Sequence, residues 1–303
     1  MRHTPQIHRY VAQALTALLW CLLLSPSANA CTAPVPGSLH ARLQALDADP
    51  AQPVAVRLAA MRDAYAHAAP ETMQPGDRSA LPDARLQDLF DATALVAFYA
   101  REPATLARLQ CLYDALATRD LARDDQHRAM RGALIALQRF DQANALNGRL
   151  ATTPAVLPAI HGVPLPGRPL LRLNRLAQVE RAVLAEDGLR VVAVVHPHCG
   201  FSRHALQAIT TGPEYAWLRE RLQLVVPIGQ AWPGQDMLDW NLAHPTLPMQ
   251  PMVADPSWAL LDTGQTPVFY LLRDGVVIQT VTGWVPDGAD LGAIRAALES
   301  EPP

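Results

Sequence analysis

The sequence predicts an α/β fold with a mixed sheet in its C-terminal half, preceded by an all-α helical half. Residues 38–150 are rich in Ala, Leu and Arg and carry apolar positions at helical spacing. Residues 170–300 instead alternate short apolar runs with amphipathic segments, which is typical of a sheet covered by helices. Between them, residues 151–169 contain five prolines and two glycines, a composition that favours a linker.

Composition and charge limit the classes of function. The chain has 303 residues, of which 50% are hydrophobic and 17% charged, so it is long enough for two modest globular domains. The net charge of −3 and the lack of a basic stripe argue against a nucleic-acid partner. All basic residues are Arg, which excludes a lysine Schiff base and a P-loop lysine.

Residues 1–30 have the pattern of a secretory signal. Arg2 and Arg9 precede the mostly apolar residues 11–24, and a small-x-small sequence ends at Ala30. As a helix, the apolar segment would rise only about 21 Å, short of the roughly 30 Å hydrocarbon core, so a permanent anchor is the weaker interpretation. We therefore expect an exported protein, located in the bacterial periplasm.

Export bears on the cysteines, because an oxidising compartment favours disulfides. After cleavage the mature chain would hold three cysteines, Cys31, Cys111 and Cys199. We expect a structural Cys31–Cys111 bridge, with Cys199 left over. The alternative for Cys31, which would be the first mature residue, is lipidation, and this would be the only membrane attachment besides the signal.

The predicted helical domain, residues 31–150, is divided by prolines into four or five helices, which we expect to pack as antiparallel pairs. Within the last pair, the sequence from Ala133 to Ala143 resembles the helix-turn-helix junction of a tetratricopeptide repeat. Gln138 stands where that family commonly has Gly. A small helical bundle without a peptide-binding groove is the alternative, since a solenoid needs about three repeats.

The predicted C-terminal domain, residues 170–303, carries an ordered series of strand and helix patterns. The pair Asp274-Gly275 between two apolar runs indicates a tight hairpin turn. The order predicts a mixed sheet with helices on both faces. The predicted strands are 170–173, 189–195, 223–228, 267–272 and 276–281, and the predicted helices are 176–185, 202–222 and 288–300.

Two local sequences in this domain resemble the thioredoxin superfamily. His196-Pro197-His198-Cys199-Gly200-Phe201-Ser202 follows the central strand and opens a helix, where the family holds its active-site cysteine. Thr266-Pro267, at the start of the hairpin, resembles the family's cis-proline strand. The resemblance implies that Cys199 is catalytic and that Thr266 and Pro267 contact an extended substrate, and we expect His198 and Phe201 to contact it too.

The position of Cys199 also predicts reactivity on physical grounds. A thiolate at a helix N-terminus faces unpaired N–H groups and the positive end of the helix dipole, which lower a cysteine pKa. His198, Arg203 and His204 would add positive charge. Ser202 occupies the place of the resolving cysteine of dithiol enzymes and cannot close a disulfide, so we assign it a supporting catalytic role. The alternative is a buried, inert Cys199.

The sequence permits three further interpretations. Cys-Gly-Phe-Ser is also the signature of monothiol glutaredoxins, but their later glutathione motif is missing. His196, His198, Cys199 and His204 are suitable metal ligands, yet no second Cys or Met lies nearby, so we expect neither metal nor cofactor. The Trp- and Pro-containing segment 226–266 would form either a wall or lid over Cys199 or a packed surface insertion.

These observations predict an exported protein that exchanges thiols and disulfides through Cys199 by way of mixed disulfides. Its partners would be protein thiols, protein disulfides or a small thiol that resolves the intermediate. The alternative is a redox-inactive periplasmic adaptor that combines the helical domain with a degenerate thioredoxin-like domain.

Overall fold

The structure, a computed structural model, describes residues 37–68, 81–175, 178–261, 264–285 and 291–300. The predicted signal, residues 1–30, and Cys31 lie outside the described residues, so export, lipidation and the Cys31–Cys111 bridge stay predictions. Cys111 and Cys199 are both free thiols in the part of the chain that is described. A search of the same part finds no helix with the length and apolar character needed to span a bilayer.

Between residues 37 and 150, the described chain forms six α-helices, each packed against the next along the chain. Local signals set their ends: the Ser38 hydroxyl caps the first helix at the Ala41 N–H, and Pro103 opens the fourth at its first turn. The helices are α1 (Leu39–Asp47), α2 (Val54–Ala68), α3 (Asp83–Ala100), α4 (Pro103–Thr118), α5 (Asp124–Ala136) and α6 (Phe140–Ala145).

Gln138, which stands where tetratricopeptide repeats commonly have Gly, lies in the turn between α5 and α6. Gln138 has a left-handed backbone with φ of +52°, the conformation that glycine adopts most readily. Its side-chain oxygen accepts a hydrogen bond from the Ala254 N–H at 2.9 Å, which connects this turn to the C-terminal half. The likeness to a tetratricopeptide repeat stays a prediction.

The C-terminal half contains eight strands in two sheets among the described residues. Three strands form the order β1-β3-β2, and five form the mixed sheet β6-β5-β4-β7-β8, in which β4, β5 and β6 are parallel. A single bridge between Leu170 and Met252 connects the two sheets. The strands are β1 (Ala159–His161), β2 (Pro169–Arg175), β3 (Gln178–Val183), β4 (Leu189–Val194), β5 (Leu222–Val226), β6 (Met249–Pro251), β7 (Val268–Arg273) and β8 (Val276–Thr282).

Four helices accompany these strands in the described residues: α7 (Gly200–Thr211), α8 (Ala216–Arg219), α9 (Gly234–Ala243) and α10 (Gly292–Glu299). The hairpin between β7 and β8 turns at Asp274 and Gly275, both with positive φ, as the Asp-Gly pair predicts. Helix α9 and strand β6 lie inside the segment 226–266, for which the sequence analysis predicted no regular structure.

Two predicted helices are wrong. Residues 176–185 contain strand β3, because Val179 and Ala182 are buried as the strand pairs with both β1 and β2. The helix predicted over 202–222 ends at Thr211, because Gly212-Pro213 interrupts it. A 3₁₀ turn and the short α8 follow that break.

The two faces of the five-stranded sheet pack against different elements among the described residues, and the prediction of helices on both faces stays a prediction. On one face, the buried side chains of α7 and α10 share a cluster with Val191 and Ala193 of β4. On the other face, Val192 and Val194 are buried with Trp258 and Leu261, and no buried member of that described cluster comes from an α-helix.

The predicted linker, residues 151–169, contains the edge strand β1 and the first residue of β2. Asn144 of α6 holds the preceding backbone: its amide donates to the Leu157 carbonyl at 3.0 Å and accepts from the Leu157 N–H at 2.8 Å. The described residues from Gly37 onward belong to one compact unit. The division at 150 and 170 stays a prediction.

Candidate functional site

Cys199 lies between the central strand β4 and helix α7, as the sequence analysis expected. It is the N-cap residue of α7, with an extended backbone at φ −82° and ψ 121°. The Cys199 N–H donates to the His196 carbonyl at 3.0 Å, and the Cys199 carbonyl accepts from the Arg203 N–H at 3.0 Å. These bonds keep the thiol at the positive end of the helix dipole.

The start of β7 brings Thr266 and Pro267 to this thiol. Strands β4 and β7 are antiparallel and pair Val194 with Val268, so the beginning of β7 lies beside the end of β4. The Thr266–Pro267 peptide bond is cis. The Cys199 Sγ lies 3.2 Å from the Thr266 carbonyl oxygen, to which the protonated thiol donates.

Several groups act on the ionisation of Cys199, which is partly accessible. Burial raises the pKa of the Cys199 thiol, but hydrogen bonds from the side chains of Thr266 and Ser202 and from the backbone of Ser202 and Phe201 together outweigh it. The pKa therefore lies below its ordinary value of 9.0. Donors directed at the sulfur stabilise the thiolate, which is the nucleophilic form.

Ser202 is a positioning residue at this site. Its side chain is completely buried, and its Oγ accepts a hydrogen bond from the His196 N–H at 3.2 Å. Its hydroxyl also forms a hydrogen bond that lowers the pKa of Cys199. Ser202 thus connects the end of β4 to the thiol. Because it is a serine, it cannot form a disulfide with Cys199.

Two histidines lie beside the cysteine, and helix α9 contacts one of them. His198 Nε2 is 2.9 Å from Asp236 Oδ2, and its backbone N–H donates to His196 Nδ1 at 3.2 Å. Burial and the nearby charge of His198 lower the pKa of His196, against the smaller opposite effect of Asp236. Because Nδ1 accepts that bond, neutral His196 carries its proton on Nε2.

The other predicted residues lie around this centre. Phe201, in the first turn of α7, exposes 66% of its surface, whereas Pro267, which immediately precedes β7, is buried. Arg203 and His204 are exposed on α7. Cys111 lies on α4 and is partly buried.

His196 and Asp236 belong to this neighbourhood but were not predicted to act on the site. His196 lies only three residues before Cys199, and this spacing could have indicated that it contacts the site. Nothing in the sequence marks Asp236, because it lies 38 residues beyond His198 on a helix that the pattern did not predict. Sequence reasoning had no means of bringing it near the cysteine.

One part of the segment 226–266, helix α9, lies beside His198, and the prediction of a wall or lid over Cys199 stays a prediction. Helix α9 faces α7 across a groove of about 540 Å³, lined by His198, Leu206, Asp236 and Trp240 among others. Cys199 does not line this groove. In the described residues, no group of three or more His, Cys, Asp or Glu side chains is arranged to hold a metal ion.

We compared the chain with known protein families, curated sequences and solved structures. No model of a protein family matches the chain, and no curated protein sequence matches it. Among solved structures, one similar chain is the crystal structure of a thioredoxin-like protein from Bacteroides caccae. That chain is 11% identical, and the match has a TM-score of 0.29 and covers 73% of this chain and 80% of that one. A TM-score this low does not show that the two chains share a fold. The function proposed for this chain is therefore based on the strand order and the geometry of Cys199 alone.

Proposed function

We propose that this chain is a thioredoxin-like protein that exchanges thiols and disulfides through Cys199. The observation that carries the proposal is the position of the Cys199 sulfur. It belongs to the N-cap residue of α7, where the positive end of the helix dipole favours the thiolate, and it is partly accessible. Its pKa is lowered by neighbouring donors that outweigh the effect of burial. A partly accessible thiol with these surroundings is suited to nucleophilic attack.

The proposed thiol–disulfide exchange has two steps. First, the Cys199 thiolate attacks one sulfur of a substrate disulfide, forming a mixed disulfide while the other substrate sulfur leaves as a thiolate and takes up a proton. Second, the thiolate of an external thiol attacks the substrate sulfur of the mixed disulfide and releases Cys199 as a thiolate. The external thiol is required because Ser202 cannot perform the second attack.

Neighbouring groups suit an extended substrate. The backbone N–H of Thr266 donates no hydrogen bond to any residue within the described ranges, so it is available to a substrate carbonyl. The exposed ring of Phe201 offers apolar contact next to the sulfur. Together they would hold the peptide on either side of the reacting disulfide.

One contact favours the alternative, a redox-inactive adaptor. The thiol donates to the Thr266 carbonyl, and only the protonated form of Cys199 makes this bond. If that bond dominates in solution, the sulfur stays protonated and unreactive. A chemical titration of the thiol separates the two functions.

The experiment measures the rate of iodoacetamide alkylation at Cys199 against pH in the full chain, with each modified cysteine identified by mass spectrometry so that only the signal at residue 199 is counted. The expected rate reaches half its maximum below pH 9.0, the ordinary value for this thiol. The same protein incubated with glutathione disulfide should gain one glutathione on Cys199 and lose it on adding an external thiol. Cys199→Ser is the control, and it should give neither signal.

A Cys199 that resists alkylation up to pH 9 and forms no mixed disulfide would refute the exchange proposal. That result would support the adaptor. An alkylation rate that rises only above pH 9, with slow glutathione transfer, would also count against a thiolate prepared for exchange.

A further inference from the structure

A cavity of about 490 Å³ lies between the helical half and the strand-bearing half, away from the cysteine. Its walls come from the α3–α4 connection, the turn after α5, and the segments that follow β5 and β6. Ile228, Leu261 and Trp258 give it a mainly apolar surface. The volume is in the range of protein sites for small organic molecules, roughly 300–1,000 Å³.

The position of this cavity is also typical of a ligand site. Strands β4, β5 and β6 are parallel, so the segments after β5 and β6 lie at the same edge of the sheet as the segment that carries Cys199. Open α/β sheets bind ligands at the carboxyl ends of their parallel strands. Here the helical half covers that edge and encloses a cavity.

Arg101 lines the cavity in a costly arrangement. It terminates α3 with φ of +48°, a left-handed conformation that favours glycine. Its side chain makes no hydrogen bond and no ion pair with the residues that the structure describes. Burial lowers the pKa of the Arg101 guanidinium, and no neighbouring charge offsets that effect. An unpaired, partly desolvated cation is unfavourable unless something binds it.

Two carboxylates, those of Glu102 and Asp255, also line the cavity, but neither pairs with Arg101. Glu102 lies 3.4 Å from Arg62, and Asp255 accepts the Ser257 N–H at 2.9 Å. A cation near a helix C-terminus is favoured by the dipole, but the Arg101 guanidinium reaches no carbonyl of α3. The dipole therefore does not replace a partner for Arg101.

We propose that this cavity binds a small apolar molecule carrying one carboxylate, with the carboxylate on Arg101 and the aliphatic part against Ile228, Leu261 and Trp258. A guanidinium holds a carboxylate through two parallel hydrogen bonds, which supplies the partner that Arg101 lacks. The apolar lining accepts the rest of the molecule. This site does not depend on thiol exchange, and neither proposal fails with the other.

The test uses the full chain and three probes with the same eight-carbon tail: octanoate, octanol and octylammonium, each titrated by isothermal calorimetry below its aggregation concentration. Octanoate should bind with one-to-one stoichiometry, about 10- to 100-fold more tightly than octanol, since a hydrogen bond to a charged group contributes that factor. Octylammonium should not bind. Equal binding of octanoate and octylammonium would overturn the proposal.

Two variants locate the site. Arg101→Gln should weaken octanoate binding about 10- to 100-fold and leave octanol binding unchanged. Ala254→Trp, which fills the cavity and keeps Arg101, should abolish both. Arg295→Gln, an exposed cation on α10 outside the cavity, is the matched control for net charge. Unchanged octanoate affinity in folded Arg101→Gln and Ala254→Trp would place binding elsewhere and refute the site.

Discussion

Removal of the Ser202 hydroxyl tests how the protein prepares Cys199. In Ser202→Ala, the sulfur loses a donor that lowers its pKa, and the His196 N–H loses its acceptor at 3.2 Å. The pKa of Cys199 should therefore rise. A hydrogen bond to a charged group contributes about 1.5–3 kcal/mol, which corresponds to a factor of about 10 to 100 in the ionisation equilibrium.

The effect on rate is smaller than the effect on ionisation. A thiolate of higher pKa is a better nucleophile, with a Brønsted coefficient of about 0.4–0.5, so nearly half of the loss on a logarithmic scale is recovered. On the acidic limb of the pH profile, alkylation of Cys199 should slow by about 3- to 10-fold. The half-maximal rate should move to higher pH, while the rate at high pH should be equal or greater.

The assay is the iodoacetamide pH profile of Cys199, with the modified cysteine identified by mass spectrometry. Thr211→Val is the matched control, because it removes a hydroxyl at the far end of the same helix, where it donates to the Gln207 carbonyl at 2.9 Å. Ser202→Ala should also lose about 1–3 kcal/mol of unfolding free energy, since the partly buried His196 N–H loses its acceptor. A profile that superimposes on that of the parent protein, in a variant shown to be folded, would refute this account of Cys199.

Two further predictions concern stability. The pKa of His196 lies below 6.5, so the unfolded chain binds a proton that the folded chain does not, and stability should fall as pH drops from 6.5 towards that lower value. In urea titrations at pH 7.5 and 5.5, His196→Asn should lose less stability on acidification than the parent, and an equal loss would contradict the assignment. Glu186→Ala removes the carboxylate that pairs with buried Arg168 and should lower the unfolding free energy by about 1–3 kcal/mol. The loss is no larger because the carbonyls of Ser257 and Gly275 still accept hydrogen bonds from the guanidinium. Glu299→Ala, from an exposed pair with Arg295, is its control and should change the unfolding free energy by less than about 0.5 kcal/mol.

The elements that were predicted correctly have strong local signals. The apolar run from Leu189 to Val195 forms the central strand β4, and the Asp274-Gly275 pair forms the hairpin turn. The junction of β4 with the next helix places Cys199 at an N-cap position. In each case the information lies within about ten neighbouring residues, which is the range over which periodicity and turn chemistry act.

The elements that were predicted wrongly depend on partners distant in sequence. Residues 178–183 contain good helix formers, yet they pair with strands on both sides, and the hydrogen bonds of a sheet outweigh helix propensity. Strand β6 has only three residues and exists because β5 offers it an edge. Composition alone cannot show such an edge.

The sequence by itself determined the helical first half, the α/β second half, and a cysteine at the start of a helix followed by a Thr-Pro strand. Only the tertiary structure decided that the Thr266 carbonyl lies 3.2 Å from the sulfur and that Asp236 reaches His198. It also decided that the Arg101 side chain lines a cavity with no hydrogen-bond or ionic partner among the described residues. Patterns along the chain report local conformation, whereas hydrogen bonds and cavities arise between segments many residues apart. Their positions follow from how the whole chain packs.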